Sequence, residues 1–230
     1  EEALEMFDQA LQYNPNMSMT WAQKAYVLNN LGRYDEALVA ADQALSIDPN
    51  NDIALNNKGT ALSNLGRLDE ALEAYNQSLT ISPDNAITWS NKGYIQAELE
   101  RYPEALEAYT ISLNIEPNQS LTWGYMASAL YQTSKFEEAV NASDREIAVN
   151  PTNYLAWVTK ANSLTVLGRY TEAIPAYRKA LSLNNESSVL WFNLGYALQA
   201  NRDYEGAVAT YRDALALTPD YSDAWTYQIS

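Results

Sequence analysis

Apolar residues follow one another along this chain at the three- and four-residue spacing of amphipathic helices. Leu55, Gly59 and Leu62 form one such set. After a short polar break, Leu72 and Leu79 belong to the next set. Because this spacing places side chains on one face of a helix, the pattern predicts short helices that each bury one side. The same alternation of helix and break recurs along the sequence.

A single period of 34 residues organises these predicted helices. Prolines follow the period at Pro15, Pro49, Pro83, Pro117, Pro151 and Pro219, with Asn185 in the one place without proline. Six residues after each of these places stand Trp21, Leu55, Trp89, Trp123, Trp157, Trp191 and Trp225. All six tryptophans of the chain therefore share one register, which indicates a repeat protein.

Counting each repeat from three residues before its tryptophan, we expect complete repeats at 18–51, 52–85, 86–119, 120–153, 154–187 and 188–221. Residues 1–17 match the second half of an earlier repeat, and residues 222–230 match the start of a further one. The chain is therefore predicted to be one solenoid over residues 1–230. Position numbers below count from the first residue of each repeat.

Each repeat is predicted to contain two helices separated by a turn. In the second repeat the turn lies at Gly66, because glycine suits the left-handed residue that ends a helix. Asn51 and Asn85 are predicted to cap the helices that follow them. Arg202 replaces the turn glycine in the sixth repeat, and the neighbouring Asn201 is expected to adopt the left-handed conformation there.

Small residues recur where the two helices of a repeat are expected to cross closely. At position 8 they are Ala25, Gly59, Gly93, Ala127, Ala161 and Gly195. At position 20 they are Ala37, Ala71, Ala105, Ala139, Ala173 and Ala207. Large residues are expected to oppose them, among them Tyr75, Tyr109, Tyr177 and Tyr211. Repeat 4 departs from the pattern at Ser134, Ser143 and Glu146, and softer packing or changed curvature is expected there.

Composition excludes several functional classes. The chain has 14 Lys+Arg against 29 Asp+Glu, a net charge of −15, which disfavours nucleic acid and anionic membranes as partners. It has no cysteine and no histidine, which removes thiolate nucleophiles, imidazole bases and the usual zinc sites. We predict no catalytic residue, cofactor or metal, and no membrane insertion. Carboxylate pairs such as Glu104 and Glu107 are interpreted as solvated surface.

A 34-residue helix–turn–helix unit with this order of Trp, Gly, Tyr, Ala, Tyr and Pro resembles the tetratricopeptide repeat (TPR). The segment from Trp89 through Gly93, Tyr102 and Ala105 to Pro117 carries nearly the whole pattern. The resemblance covers the whole chain and implies an all-α fold, a right-handed superhelical solenoid of antiparallel helix pairs. It also implies a non-catalytic scaffold whose first helices line a concave groove for proteins or peptides.

The family pattern places positions 2, 5, 6, 9, 12 and 13 of each first helix on that groove. In this chain these positions are rich in amides and tyrosines. Asparagine can pair with a peptide bond as donor and acceptor, and tyrosine offers a large contact surface at low entropy cost. The predicted peptide-binding residues are Asn57, Asn91, Asn193, Tyr26, Tyr94, Tyr125, Tyr131, Asn162 and Tyr196. No lysine or arginine occupies positions 2, 5 or 6, which disfavours the carboxylate clamp of TPR co-chaperones.

Three further patterns have two interpretations each. The tryptophans are interpreted as core anchors between helices rather than as binding aromatics. The lysines at position 7 either reach into the groove or pair with acidic residues, and pairing is favoured; they are Lys24, Lys58, Lys92 and Lys160. The apolar residues at position 2 either form a stripe for a partner or pack between repeats; they are Met19, Ile53, Ile87, Leu121, Leu155 and Val189.

The leading functional hypothesis is a non-catalytic scaffold that binds protein or peptide segments. Because both ends fall within a repeat, the chain is expected to be a fragment of a longer array. The terminal half-repeats, with Trp225 and Tyr227 in the last one, also predict a homo-oligomer joined end to end. A third hypothesis is a substrate-selecting region of an enzyme whose catalytic domain lies outside this chain. Cytoplasm is the default location, because no targeting segment is seen.

Overall fold

A computed structural model describes residues 1–218 of the chain. This part contains thirteen α-helices and no strand, so the predicted all-α fold is confirmed. The helices are α1 (Glu2–Tyr13), α2 (Ser18–Asn30), α3 (Tyr34–Ile47), α4 (Asp52–Asn64), α5 (Leu68–Ile81), α6 (Ala86–Glu98), α7 (Tyr102–Ile115), α8 (Ser120–Gln132), α9 (Phe136–Val149), α10 (Tyr154–Val166), α11 (Tyr170–Leu183), α12 (Ser188–Ala200) and α13 (Tyr204–Leu217). The helix predicted to begin at 222, with Trp225 and Tyr227, lies outside the described residues.

The structure divides into two compact units, and each is described by itself. Unit 1 is Glu1–Pro117, and unit 2 begins at Asn118. Within each unit the two helices of one repeat pack together, as α4 does with α5 and α10 with α11. The second helix of a repeat also packs on the first helix of the next. First helices contact one another, as α2 does with α4 and α8 with α10, so they form a common face in each unit.

The turn between the helices of a repeat has the same backbone geometry whether or not it contains glycine. Gly32, Gly66 and Gly168 have φ between 73° and 76°, as the sequence predicts for this position. In the sixth repeat the prediction for Asn201 is wrong, because Arg202 itself adopts the left-handed conformation with φ 67°. Asn201 has φ −83° and ends α12. The backbone N–H of Asp203 still donates to the Leu198 carbonyl, and this bond closes the turn.

Asparagine and serine side chains begin several of the first helices. The Asn51 side chain accepts a hydrogen bond from the backbone N–H of Ala54, and Asn85 accepts one from Thr88. Both predicted caps are therefore confirmed. Ser187 caps α12 in the same way. These caps satisfy backbone donors that have no partner within the helix, which fixes where each first helix starts.

Close packing of small residues against tyrosine rings joins the two helices of a repeat. All the position-20 alanines are buried, and so are the four tyrosines at position 24. At Gly59 an added Cβ would lie 2.6 Å from the Tyr75 ring, far inside van der Waals contact. At Gly195 the corresponding distance to the Tyr211 ring is 2.5 Å. The predicted opposition of small and large residues is therefore present, and it determines how closely the helices approach.

Tryptophan side chains anchor first helices to the turns that precede them. The indole Nε1–H of Trp21 donates to the Pro15 carbonyl at 2.9 Å, and that of Trp89 donates to the Pro83 carbonyl at 2.8 Å. Trp191 makes the same bond to Asn185, where proline is missing. Each ring is half-buried. The tryptophans thus act as anchors between elements, as expected.

Repeat 4 replaces two packing residues and partly compensates for the change. Ser143 and Glu146 are both buried, and the Ser143 hydroxyl has no hydrogen-bond partner among the described residues. The Glu146 carboxylate accepts a 2.5 Å hydrogen bond from the Asn153 side chain. An added Cβ at Gly124 would lie 2.9 Å from that carboxylate. Gly124 therefore leaves the room that the larger side chain needs.

We expect Gly59→Ala to destabilise the protein by about 1–2 kcal/mol. Overpacking against the Tyr75 ring costs about 1–3 kcal/mol, and the better helix propensity of alanine offsets up to about 1 kcal/mol of it. In a Tyr75→Ser background the ring is gone, so the same Gly59→Ala change should be stabilising. Urea unfolding of the four variants measures both effects. An unchanged sign in the serine background would contradict the packing argument.

We expect Glu146→Gln to stabilise the protein at pH 7 and to have less effect in acid. Burial raises the pKa of the Glu146 carboxyl, so the folded chain binds this proton more tightly than the unfolded chain. The resulting stability is complete below the unfolded pKa and is lost as pH rises through the folded pKa. Glutamine keeps the acceptor for Asn153 without the charge. Thermal unfolding between pH 4 and pH 8 should show the difference growing with pH, and a difference independent of pH would refute it.

Candidate functional site

The first helices present an exposed apolar stripe in each unit. We call the surface formed by α2, α4 and α6 in unit 1, and by α8, α10 and α12 in unit 2, the first-helix face. The six residues at position 2 are all exposed, with between 39% and 68% of their surface accessible; they are Met19, Ile53, Ile87, Leu121, Leu155 and Val189. Of the two interpretations left open by the sequence, packing between repeats is therefore not the one observed.

In unit 1 the predicted binding residues differ in how available they are. Tyr26 and Tyr94 are exposed on the first-helix face. Asn91 is half-buried at the edge of this face. Asn57 is only 5% exposed, and its amide donates a 2.9 Å hydrogen bond to the Ala22 carbonyl in the preceding repeat. The Asn57 side chain therefore links two first helices.

In unit 2 the structure brings four predicted residues together around one cavity. Tyr131, Asn162, Asn193 and Tyr196 line a cavity of about 170 Å³ on the first-helix face. Thr165, Val166 and Tyr177 complete its wall. Tyr125, the fifth residue predicted in this unit, is half-buried and does not line the cavity.

Hydrogen bonds hold the polar wall of this cavity in place. The Tyr177 hydroxyl donates to Asn162 Oδ1 at 2.7 Å, and the Thr165 hydroxyl donates to the Tyr177 oxygen at 3.2 Å. The Asn193 amide approaches the same Asn162 oxygen at 3.5 Å. Burial raises the pKa of Tyr177 to about 12, so this hydroxyl keeps its proton and remains a donor at neutral pH.

Two asparagine side chains of this network each keep one polar group that is available to a ligand. Asn162 uses its oxygen within the network, and no described residue accepts from its Nδ2 group. Asn193 likewise has no described donor to its Oδ1 atom. A free donor beside a free acceptor matches the C=O and N–H groups of a peptide backbone. No charged residue stands in the described lining of the cavity, whose chemistry therefore favours an uncharged segment.

The sequence did not single out Tyr177 as part of this site. It predicts Tyr177 as a large core residue of a second helix, and the ring is indeed buried. Its hydroxyl nevertheless reaches through the helix pair to the first-helix face. The presence of a tyrosine at a predicted core position is the clue that could have revealed this role, because a buried hydroxyl needs a partner.

The recurrent lysines lie away from this site and pair with acidic residues. Lys24 pairs with Asp8, Lys58 with Asp42 at 2.8 Å, and Lys160 with Asp144 at 2.5 Å. In each case the aspartate lies on the second helix of the preceding repeat. The favoured interpretation of these three lysines is therefore correct.

Lys92 departs from the pattern, because Asn76 occupies the aspartate position. Its ammonium lies 4.9 Å from the centre of the Trp89 ring. Burial lowers the pKa of Lys92, with Glu107 acting in the opposite direction. The lysine row thus belongs to the side formed by the second helices, whichever partner it has.

Residues 1–218 contain neither a metal-binding cluster nor a membrane-spanning helix. No group of three or more side chains able to hold a metal ion occurs among them. None of the helices in the same range combines the length and the apolar character that crossing a bilayer requires.

Taken together, the helix pairs and the face built from first helices define an all-helical repeat protein of the protein-interaction class. Models of the tetratricopeptide repeat match residues 18–51, 53–85, 126–188 and 166–228. The chain belongs to the tetratricopeptide repeat family. This repeat fold is typical of non-catalytic scaffolds.

Solved structures show the same fold at low sequence identity. The pilF protein of Pseudomonas aeruginosa superposes with a TM-score of 0.79 at 18% identity, over 92% of this chain and 96% of its own. YrrB, described as a TPR protein with an unusual peptide-binding site, gives 0.77 at 18% identity, over 83% and 98%. The C-terminal part of a TPR repeat-containing protein from Cytophaga hutchinsonii gives 0.75 at 17%, over 98% and 93%. No curated protein sequence matches this chain.

We expect Asn57→Ala and Asn91→Ala, two changes at the same repeat position, to differ in their effect on stability. Asn57→Ala removes the side-chain bond to the Ala22 carbonyl and leaves a gap at a buried position, and should cost about 1–3 kcal/mol of unfolding free energy. Asn91→Ala removes a half-buried side chain and should cost under about 1 kcal/mol. Urea unfolding of both variants tests the contrast. Equal losses would show that the Asn57 hydrogen bond is not what stabilises this repeat.

Proposed function

We propose that this protein is a scaffold that binds a peptide segment on the first-helix face, with the cavity of unit 2 as its main contact. The observation that carries the proposal is the convergence of Tyr131, Asn162, Asn193 and Tyr196 on one cavity. These residues come from three first helices, α8, α10 and α12. Peptide binding across several repeats is the use that such a convergence supports.

The amide pair supplies a means of recognising backbone rather than side chains. Asn162 Nδ2 can donate to a peptide carbonyl, and Asn193 Oδ1 can accept from a peptide N–H. The bond from the Tyr177 hydroxyl keeps Asn162 in the orientation that leaves its amine free. Because the group is held before a ligand arrives, binding loses less side-chain entropy.

The apolar stripe supplies the remaining affinity. Leu155 and Val189 lie on α10 and α12, the helices that also carry Asn162 and Asn193. An extended segment can therefore place its backbone on the amides and alternate side chains on the stripe. Burial of apolar surface contributes about 25 cal/mol per Å², so two such contacts matter more than one hydrogen bond.

The same reasoning predicts the character of the segment. The described cavity wall is uncharged, and the chain carries a net charge of −15. An acidic segment would be repelled at long range and would find no cation in this wall to offset the repulsion, and a basic segment would find no carboxylate there. The preferred ligand is an apolar and neutral stretch, flanked by neutral or basic residues.

We expect the double variant Asn162→Ala/Asn193→Ala to weaken peptide binding at least tenfold. Loss of both amides leaves the peptide groups they would bind without partners, at about 1 kcal/mol for each hydrogen bond or more. Peptides selected from a displayed random library on the parent chain provide the ligands, and fluorescence anisotropy measures their dissociation constants. Asn141→Ala, an exposed asparagine on the second helix α9, is the matched control and should bind as the parent does.

Circular dichroism must show equal helicity for both variants. If the double variant binds the selected peptides as tightly as the parent, the first-helix cavity of unit 2 is not the peptide site. If no library sequence binds the parent at all, the proposed function is wrong.

A further inference from the structure

The second-helix side of each unit contains a groove, which lies in repeat 1 of unit 1 and in repeat 6 of unit 2. Its floor is the first helix, and its walls are the second helices of the same and the preceding repeat. In repeat 1 the groove is lined by Trp21, Lys24, Leu28 and residues of α3, and encloses about 260 Å³. The Lys24–Asp8 ion pair crosses from its floor to the preceding helix α1.

The groove of repeat 6 differs at three framework positions. Leu194 stands where repeats 1, 2, 3 and 5 have the position-7 lysine, and repeat 4 has Met126 there. Arg178 stands at position 25 of repeat 5, where Asp8, Asp42 and Asp144 occupy the matching place on their helices. Gly206 replaces a glutamate found at position 19 in the other five repeats. All three changes remove the ion pair or the charge beside it.

These changes open a larger cavity on the second-helix side of unit 2. It encloses about 480 Å³, which lies within the usual range for ligand pockets. Its floor consists of Trp191, Leu194 and Leu198, and Leu181 of α11 forms one wall. Both floor leucines are buried, so the cavity presents an apolar base with a tryptophan beside it. Such a base suits one large apolar side chain of a partner.

The charge at this cavity indicates which kind of peptide segment would carry the bound apolar side chain. Arg178 is the one charged residue in the described lining of the cavity. Its guanidinium is exposed and has no ion pair or hydrogen bond with any residue in 1–218. Lys179 follows it and is also exposed without an ion pair in that range. A carboxylate next to the bound apolar side chain would find the Arg178 guanidinium in the cavity lining, and arginine can bind it in bidentate geometry.

We propose that the groove of repeat 6 is a second binding site, which takes an acidic peptide segment through one large apolar side chain and a neighbouring carboxylate. The site lies on α11, α12 and α13, and shares no lining residue with the first-helix cavity. Its ligand has the opposite charge preference to the neutral or basic segment proposed for that cavity. The protein can therefore hold two different segments at once.

A counter-selected peptide library tests this site. Random twelve-residue peptides are selected on the parent chain in the presence of excess Arg178→Asp/Leu194→Lys protein, in which the ion pair of the other repeats is restored. The surviving sequences should contain an aromatic or leucine residue with aspartate or glutamate within one helical turn. By fluorescence anisotropy, synthetic copies of these peptides should bind the restored variant at least tenfold more weakly than the parent. Amide versions of the peptides, in which Asn or Gln replaces each Asp or Glu, should bind the parent at least fivefold more weakly than the acidic peptides do.

Two further variants make the result decisive. Arg178→Gln removes only an exposed charge and should reduce the preference for acidic over amide peptides without loss of helicity. Asn162→Ala/Asn193→Ala should leave affinity for these peptides unchanged, so that failure here is separate from failure of the first-helix site. The proposal is overturned if no sequence discriminates the parent from the restored variant. Equal affinity for the acidic peptides and their amide versions overturns it too.

Discussion

The contact between a small residue on the first helix and a tyrosine ring on the second is the constraint on which the rest of the structure depends. Gly59 and Gly195 have room for a hydrogen atom and for nothing larger. The apolar residues at position 2 lie outside this contact and are exposed in all six repeats. The same packing carries the Tyr177 hydroxyl to the opposite face, where it orients Asn162. Core packing and site geometry therefore have one cause.

The first-helix side and the second-helix side of a unit differ in how their polar and charged groups are paired. The described wall of the first-helix cavity of unit 2 is uncharged, and hydrogen bonds hold its Asn162 side chain in place. In repeats 1 and 5 the second-helix side places a lysine over a tryptophan and pairs it with an aspartate from the preceding repeat, as at Lys160 and Asp144. Such exposed pairs contribute little to stability, so exchanging one of them is tolerated by the fold. That tolerance permits the groove of repeat 6 to lose its pair and become a cavity.

Much of the fold follows from the sequence because a 34-residue period constrains every repeat in the same way. The helix pairs, the caps at Asn51 and Asn85, and the opposed alanines and tyrosines could all be predicted from local rules. The left-handed residue of the sixth turn could not, since backbone bonds hold Arg202 there despite its side chain. The sequence also could not decide whether the position-2 residues are buried or exposed, because burial depends on how neighbouring helices approach. The groove of repeat 6 depends on residues in two successive repeats, and only their adjacency in the structure shows that Leu194 and Arg178 leave an unpaired arginine beside an apolar floor.

We propose above that peptides bind on the first-helix face of unit 2. Site-specific photo-crosslinking tests it most directly, with benzoylphenylalanine introduced at Tyr196 or, as the comparison, at Tyr204 on α13. Both side chains are exposed, and only Tyr196 lines the cavity between the first helices. We expect a neutral library-selected peptide to crosslink at Tyr196 and not at Tyr204. Crosslinking at Tyr204 without crosslinking at Tyr196 would contradict it.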